Sequence, residues 1–259
     1  MGGSLNEAER PEQSPAAASR PRPVTLSVVI DGRLDAARAR QVATLTDRLG
    51  LAGVWLRYPW WPLPGTTMSE SDLVGLLAEL ASAVQVPLGM LVDAGAADLA
   101  GADDARLDRL VRVNGDGDAA RPPALFVPCA PGRDLAGEVA AAASAAAGRP
   151  VLAEVTVSVG RTAAEARARA DADELFTLAG HPAEQGLFGT LEECQAAAAR
   201  LAQTGATELV CYLPLASDLP DVLAQLRSIA IGASVLRPGE PPSAAPPPPD
   251  GWGGRRLTA

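Results

Sequence analysis

VLAEVTVSV, at residues 151–159, opens the stretch of sequence that decides the fold. Its β-branched residues predict a strand, and apolar residues at helical spacing predict helices over 162–179 and 190–204. A second strand is predicted at 207–213, and the helix after it carries Pro220 in its first turn, where a missing N–H costs nothing. Strands separated by helices indicate a parallel sheet with right-handed crossovers. This order is typical of the closing segment of a (β/α) barrel.

The same alternation runs back through the chain. The patterns predict further strands at 24–30, 53–57, 86–92, 110–114 and 124–130, with helices at 34–49, 69–84 and 133–148. Of these, the strand at 110–114 has the weakest pattern. A closed barrel of this kind needs eight strands, and the patterns show fewer. We therefore predict an α/β fold like the TIM (β/α)8 barrel, incomplete in its middle strands.

Two segments rich in proline, alanine and polar residues flank the alternating region. Residues 1–23 and 237–259 have little apolar content, so we predict disordered tails around a single barrel domain at 24–236. The second tail contains four prolines at 246–249, followed by Trp252. It is either a solvated polyproline segment or a docking ligand for a proline-binding partner.

Composition excludes several classes of function. The formal net charge is −9 and every basic residue is arginine, so we expect no nucleic-acid or membrane partner and no Schiff-base or P-loop lysine. The three cysteines form no CxxC pair and the one histidine, His181, has no ligand set around it, so we predict no disulfide and no metal site. We expect a cytoplasmic protein because residues 1–15 contain no apolar core typical of a secretion signal.

Several joints between helices and strands resemble those of one protein family. They read DRLGLAGVWL at 47–56, LVGLLAELA at 73–81 with VPLG at 86–89, and VSVGRTAAEAR at 157–167 with GTLEE at 189–193 and TGATEL at 204–209. These joints are similar to those of the luciferase-like monooxygenase family, which contains flavin- and F420-dependent oxidoreductases. The fragment LDRLVRVNGDG at 107–117 is similar to a further joint of that family. The chain looks like a shortened, diverged member.

The resemblance implies a function and a cofactor. It implies an oxidoreductase that uses FMN or F420 on a small organic substrate, and that pairs with a second copy of itself or with another family member. It also implies a phosphate-holding loop near the late strands. Gly132 and Arg133 are the candidates for that loop, because they precede a helix N-terminus, where anions are stabilised.

The chain departs from the family pattern at two places. Where family members often carry an acid–histidine pair, after the second strand, this chain reads RYPWW at 57–61. The family's P-x-x-x-A segment after the third strand is replaced by DAGAAD at 93–98. A second hypothesis therefore stays open, namely a catalytically inactive barrel relative, without a cofactor, that serves as a partner subunit or a ligand-binding protein.

Charged residues lie at the ends of several predicted strands. Because the active sites of (β/α) barrels lie at the carboxyl ends of the strands, Asp31, Arg57 and Asp93 are candidate catalytic residues. Each aspartate would act as an acid or base, or would only start a turn. Arg57 would bind a phosphate or carboxylate, or would be an ordinary surface arginine. Cys129, also at a strand end, is either a nucleophile or a small buried residue.

Four aromatic residues lie close together in the sequence. Trp55, Tyr58, Trp60 and Trp61 span the second predicted strand and the loop after it. Tyr58, Trp60 and Trp61 are candidate cofactor-binding residues, because flat aromatic faces stack on planar ligands such as a flavin. The alternatives for the group are a subunit interface and burial in the core.

Glu154 interrupts an otherwise apolar strand. Alternation places it with Leu152, Thr156 and Ser158 on one face of that strand, and the valines on the other. A polar face on a barrel strand would line the interior cleft, where Glu154 is a candidate catalytic carboxylate with a raised pKa. The alternative is that a gap in the barrel leaves this face in water.

Overall fold

The computed structural model describes residues 24–58, 70–93, 109–113, 124–129, 132–173, 186–215 and 218–235. In residues 58, 70–74, 92–93, 109–113 and 235 the backbone alone is described. The strands are β1 Thr25–Ile30, β2 Val54–Tyr58, β3 Leu88–Asp93, β4 Arg109–Val113, β5 Leu125–Val127, β6 Val151–Val159, β7 Leu187–Gly189 and β8 Glu208–Tyr212. The predicted tails at 1–23 and 237–259 lie outside the described residues, and so does His181.

The strands pair in parallel and form one continuous path. Its order is β4-β3-β2-β1-β8-β6-β5, so the first and last strands of the chain are neighbours in the middle of the path. Val28 of β1, for example, lies opposite Val54 of β2 and Cys211 of β8. Strand β7 lies off this path and pairs with β6.

The two ends of the path meet, which makes the wall a barrel. Residues of β4 and β5 come within 8 Å of each other between Cα atoms, with no ladder between them among the described residues. Because β7 lies off the path, the path has one strand fewer than a full (β/α) barrel. The seam between β4 and β5 falls in the middle of the chain. The predicted barrel, incomplete in its middle strands, is therefore confirmed.

The helices are α1 Ala36–Arg48, α2 Glu70–Ala83, α3 Leu135–Ala145, α4 Ala163–Asp171, α5 Leu191–Thr204 and α6 Leu219–Val235. The Asp35 carboxylate accepts from Arg38 N at the start of α1, and Thr190 and Glu193 form a capping box at the start of α5. Helix α5 ends at Gly205, whose φ of 114° favours glycine. No helix within the described ranges combines the length and the apolar content that a membrane span requires.

Two strands and one helix boundary can be compared directly with the sequence prediction. The weak strand at 110–114 is confirmed as β4. Strand β7 was missed, because three residues are too few to show alternation. The helix predicted over 162–179 is confirmed as α4 over Ala163–Asp171, and the chain leaves the helix at Ala172 and Asp173, while residues 174–179 lie outside the described residues.

Two sets of buried side chains occupy the two faces of the sheet. The odd-numbered residues of β6, from Val151 to Val159, belong to the outer core between strands and helices, whereas Leu152 belongs to a separate inner cluster. All nine residues of β6 are buried. The predicted alternation is therefore confirmed. The alternative that a gap leaves the Glu154 face in water is wrong, because Glu154 is only 5% exposed.

Candidate active site inside the barrel

The inner face of the sheet carries an apolar cluster. Its buried members are Val29, Trp55, Leu91, Leu152, Ala170, Val210 and Tyr212, and Ala124, Phe126 and Phe188 pack against them. These residues come from most of the strands and from α4, so the cluster lies in the interior of the barrel. Two polar networks extend from it along β2 and β8, one toward the amino ends of the strands and one toward their carboxyl ends.

The amino-end network consists of Ser27, Trp55 and Glu208, all of them buried. Glu208 Oε1 accepts hydrogen bonds from Ser27 Oγ at 2.5 Å and from Trp55 Nε1 at 2.7 Å. The indole has room because Trp55 lies opposite Gly89 in β3, where a β-carbon would be 2.3 Å from Trp55 Cε3. Of the alternatives for the aromatic group, burial in the core therefore holds for Trp55.

The carboxyl-end network consists of Arg57, Glu154 and Tyr212. Arg57 Nη1 lies 3.2 Å from Glu154 Oε1 and 3.3 Å from Tyr212 Oη. Glu154 Oε2 accepts from the backbone N–H of Cys129 at 3.0 Å. The side chains of Arg57 and Glu154 are only 11% and 7% exposed, so their charges face each other in the buried interior of the barrel. Arg57 is thus ion-paired inside the barrel and not on its surface.

The phenol of Tyr212, within this network, and the thiol of Cys129, beside it, both have raised pKa values. Burial, followed by the charge of Glu154, raises the pKa of Tyr212 well above its usual value of 10. Burial and the same carboxylate raise the pKa of the Cys129 thiol to about 12. Because the thiolate is the nucleophilic form, these values favour the prediction of Cys129 as a small buried residue.

A second group of charges joins the ends of β1, β8 and α4, and we call it the Arg33 clasp. Arg33 Nη2 and Nε bind the Asp31 carboxylate at 2.7 and 2.9 Å, and Arg33 Nη1 binds Asp173 Oδ1 at 2.8 Å. Arg33 Nη2 also donates to the Leu213 carbonyl, and Asp173 Oδ2 accepts from Leu215 N at 2.8 Å. Burial lowers the pKa of Arg33, but the two carboxylates outweigh it and raise that pKa. Asp31 is therefore placed as a partner of Arg33.

The other strand-end predictions are only partly visible. Asp93 is the last residue of β3 and Tyr58 is the last residue of β2. The structure describes the backbone of both residues but not their side chains. Trp60 and Trp61 lie outside the described residues altogether. Their proposed contacts with substrate and cofactor stay predictions. In the described ranges, no three His, Cys, Asp or Glu side chains come together in a way that could hold a metal ion.

The segment before α3 is the predicted place for a cofactor phosphate. Gly132 has a φ of +74°, and nothing lies within 4 Å of the position a β-carbon would take there. Asp134, the N-cap of α3, makes no side-chain hydrogen bond to the first turn, so those N–H groups are available to an anion. Arg133 is half-exposed and pairs with Glu138. Asp134 and Glu138 also place two carboxylates at this end of α3, so a phosphate held by Gly132 and Arg133 stays a prediction.

A groove of about 510 Å³ lies beside the carboxyl end of β6. Arg161, Arg169 and Thr190 are among the residues that line it. Both arginines lie 3.2 Å from the Glu165 carboxylate, and the first turn of α5 is closed by its capping box. The groups of this groove that would attract an anion are therefore already hydrogen-bonded, as Arg57 is inside the barrel.

Several residues of these networks were not predicted. Tyr212 is the last residue of β8 and lies on the same face of that strand as Val210 and Glu208. The strand-end rule and the strand period of two residues could therefore have identified Tyr212 as a candidate site residue. Arg33 follows a strand end by only three residues. Asp173 gave no local signal, because it lay inside the region predicted to be helical.

Solved structures share this fold at low sequence identity. The monooxygenase RslO1 from Streptomyces bottropensis matches with a TM-score of 0.54 and 12% identity, over 81% of this chain and 98% of that one. The coenzyme F420 dependent tetrahydromethanopterin reductase from Methanopyrus kandleri matches with a TM-score of 0.53 and 10% identity, over 82% and 100% of the two chains. No protein-family model matches the sequence, and no curated protein matches it. The resemblance to the luciferase-like class is thus confirmed as a similarity of fold.

Proposed function

We propose that this protein is a flavin- or F420-dependent oxidoreductase of the luciferase-like class that acts on a small organic substrate in the cytoplasm. The proposal is supported by the parallel barrel and by its similarity in fold to a monooxygenase and to an F420-dependent reductase. It is also supported by the place of the carboxyl-end network, because barrel enzymes carry out their chemistry at the carboxyl ends of the strands.

The buried ion pair between Arg57 and Glu154 carries the proposal. Taking two charges out of water is costly, and well-packed apolar residues of similar volume are often at least as stabilising. A wall built only for stability would gain little from such a pair. Its position at the carboxyl end therefore favours a role in binding or orienting a ligand.

The residues of the chain have separate roles in this proposal. FMN or F420 supplies hydride-transfer chemistry when bound. Gly132 and Arg133 would hold its phosphate at the N-terminus of α3, and the aromatic residues after β2 would stack against its ring. Arg57 would donate hydrogen bonds to an anionic or carbonyl group of the substrate, while Glu154 holds the guanidinium in place.

A second candidate function is a catalytically inactive barrel that serves as a partner subunit or a ligand-binding protein. One observation favours it. Asp31, Glu154 and Asp173, which lie near the carboxyl-end mouth, all pair with arginines. A carboxylate engaged in this way is poorly placed to accept a proton from a substrate. Cys129, kept protonated, is a poor nucleophile as well.

Cofactor titration separates the two candidates. We expect the purified protein to bind FMN or oxidised F420, measured through the quenching of cofactor fluorescence. Arg133→Gln should weaken this binding roughly tenfold, equivalent to about 1.4 kcal/mol, because it removes a charged donor from the phosphate. The matched control is Arg161→Gln, which changes an exposed arginine of the groove and should leave binding unchanged.

The opposite outcome is equally informative. A protein that binds neither cofactor, and that co-purifies with a luciferase-like enzyme, would contradict the oxidoreductase proposal and favour the partner subunit. We also propose that the chain pairs as a homodimer or as a heterodimer with a family member. Light scattering on the purified 26.5 kDa chain measures its state of assembly.

A further inference from the structure

Helix α4 packs against the inner side of β6. Ser158 lies on the same face of β6 as Glu154, and its Oγ donates to the Ala166 carbonyl of α4 at 2.7 Å. Ala170, one turn further along α4, belongs to the inner apolar cluster together with Tyr212. Helix α4 therefore covers part of the mouth of the barrel, on the side where the carboxyl-end network lies.

The contact between α4 and the barrel includes little apolar surface. Ala166 and Ala170 are the buried residues of the helix, and each contributes a single methyl group. Such small groups contribute far less than leucine or valine would. The stronger contact comes two residues beyond the helix, where Asp173 binds both Arg33 and Leu215 N. The clasp thus joins α4 to the ends of β1 and β8 mainly through charge.

We propose that α4 is a cover over the carboxyl-end network, latched shut by the ion pair between Asp173 and Arg33. When this pair breaks, α4 lifts from β6 and admits solvent or ligand to the network. Lifting exposes few apolar groups, and it also breaks two hydrogen bonds between α4 and β6, from Ser158 Oγ to the Ala166 carbonyl and from Arg169 Nη1 to the Val159 carbonyl. These two bonds become available to water once the Asp173 pair no longer holds the end of α4, so we expect the open state to form as a local opening. Arg33 keeps its bonds to Asp31 during this motion, and the stationary side of the latch stays folded. The cover does not depend on which cofactor, if any, the barrel binds.

Amide hydrogen exchange of the full chain, followed by mass spectrometry of peptides, tests the latch. In Asp173→Asn we expect the amides of α4 to exchange roughly tenfold faster than in the unchanged protein, with β8 and α5 unaffected. Arg33→Gln should accelerate exchange in α4 in the same way. The matched control is Asp171→Asn, the same substitution two residues earlier at an exposed position, which should leave α4 unchanged.

A thiol placed beneath the cover gives a second readout. Ala170→Cys introduces a cysteine on the buried side of α4, and it is made in a Cys129→Ala background because Cys129 borders the carboxyl-end network. The other two cysteines, Cys194 and Cys211, are buried elsewhere. We expect this thiol to react with a disulfide reagent about tenfold faster when combined with Asp173→Asn than when combined with Asp171→Asn. Equal rates in the two combinations would overturn the proposal. So would faster exchange in every strand of Asp173→Asn, which would make Asp173 a residue of the whole fold and not of a latch.

Discussion

The amino-end and carboxyl-end networks each contain one residue of β2 and one residue of β8, but they differ in their chemistry. Strand β2 contributes Trp55 to the first and Arg57 to the second, while β8 contributes Glu208 and Tyr212. In the amino-end network the carboxyl group accepts from a hydroxyl and an indole, and the large ring fills the space that Gly89 leaves. In the carboxyl-end network a guanidinium faces a carboxylate across the interior.

Under the proposed function, this difference favours packing as the role of the amino-end half of the barrel and ligand binding as the role of the carboxyl-end half. A large aromatic ring with a hydrogen-bonded N–H contributes both buried area and a satisfied donor. A buried ion pair contributes little net stability compared with an apolar pair, but it is damaging to break. Since barrel active sites lie at the carboxyl ends of strands and the opposite end serves stability, the two networks follow the same division.

Removal of Arg57 should have the largest effect. Arg57→Met leaves the Glu154 carboxylate buried without its cation, so the free energy of unfolding should fall by about 3–5 kcal/mol, measured by urea denaturation. The double variant Arg57→Met with Glu154→Leu removes both charges and should recover most of that loss. If the double variant is as unstable as the single one, the pair serves stability after all, and the division between the two networks fails.

Gly89→Ala should have the next largest effect, at the amino end. The new methyl group collides with the fully buried Trp55 ring, so stability should fall by about 1–3 kcal/mol in a thermal melt. The same substitution in a Trp55→Leu background should cost much less. Gly75→Ala is the matched control, because nothing lies within 4 Å of a β-carbon there and alanine favours the helix. An equal cost in both backgrounds would mean that Gly89 acts through its backbone and not through Trp55.

Most of the wall was predictable because its signals are local. Strand β6 and helix α5 combine a clear period with a capping residue, and the predicted limits match the observed ones to within a residue. The end of α4 was not predictable in this way. Its alanines and charges continue past Asp171 without a glycine or proline, yet the helix ends there and Asp173 Oδ1 lies 2.8 Å from Arg33 Nη1. Arg33 and Asp173 are 140 residues apart in the sequence, so the local pattern around α4 does not predict their contact.

The individual residues Arg57 and Glu154 of the candidate site were predictable, but their ion pair was not. The strand-end rule selected Arg57 and alternation selected Glu154, yet the two lie 97 residues apart in the sequence. Only the strand order shows that they face each other. Asp31 illustrates the opposite case. Its position at a strand end favoured catalysis, but Arg33, two residues further on, occupies its carboxylate, and a side-chain contact of this kind cannot be inferred from spacing alone.

Tyr212→Phe should have the smallest effect of the three, and its size should depend on pH. At neutral pH the loss of the contact with Arg57 should cost about 1–2 kcal/mol in urea denaturation. The fold raises the pKa of Tyr212 well above 10, so above about pH 10 the unfolded chain releases a proton that the folded protein keeps. The stability of the unchanged protein should therefore fall through this window, while phenylalanine has no proton to release. The difference in stability between the two proteins should narrow as the pH rises, whereas a difference that stays constant to about pH 11 would show that burial and Glu154 do not raise the pKa of Tyr212.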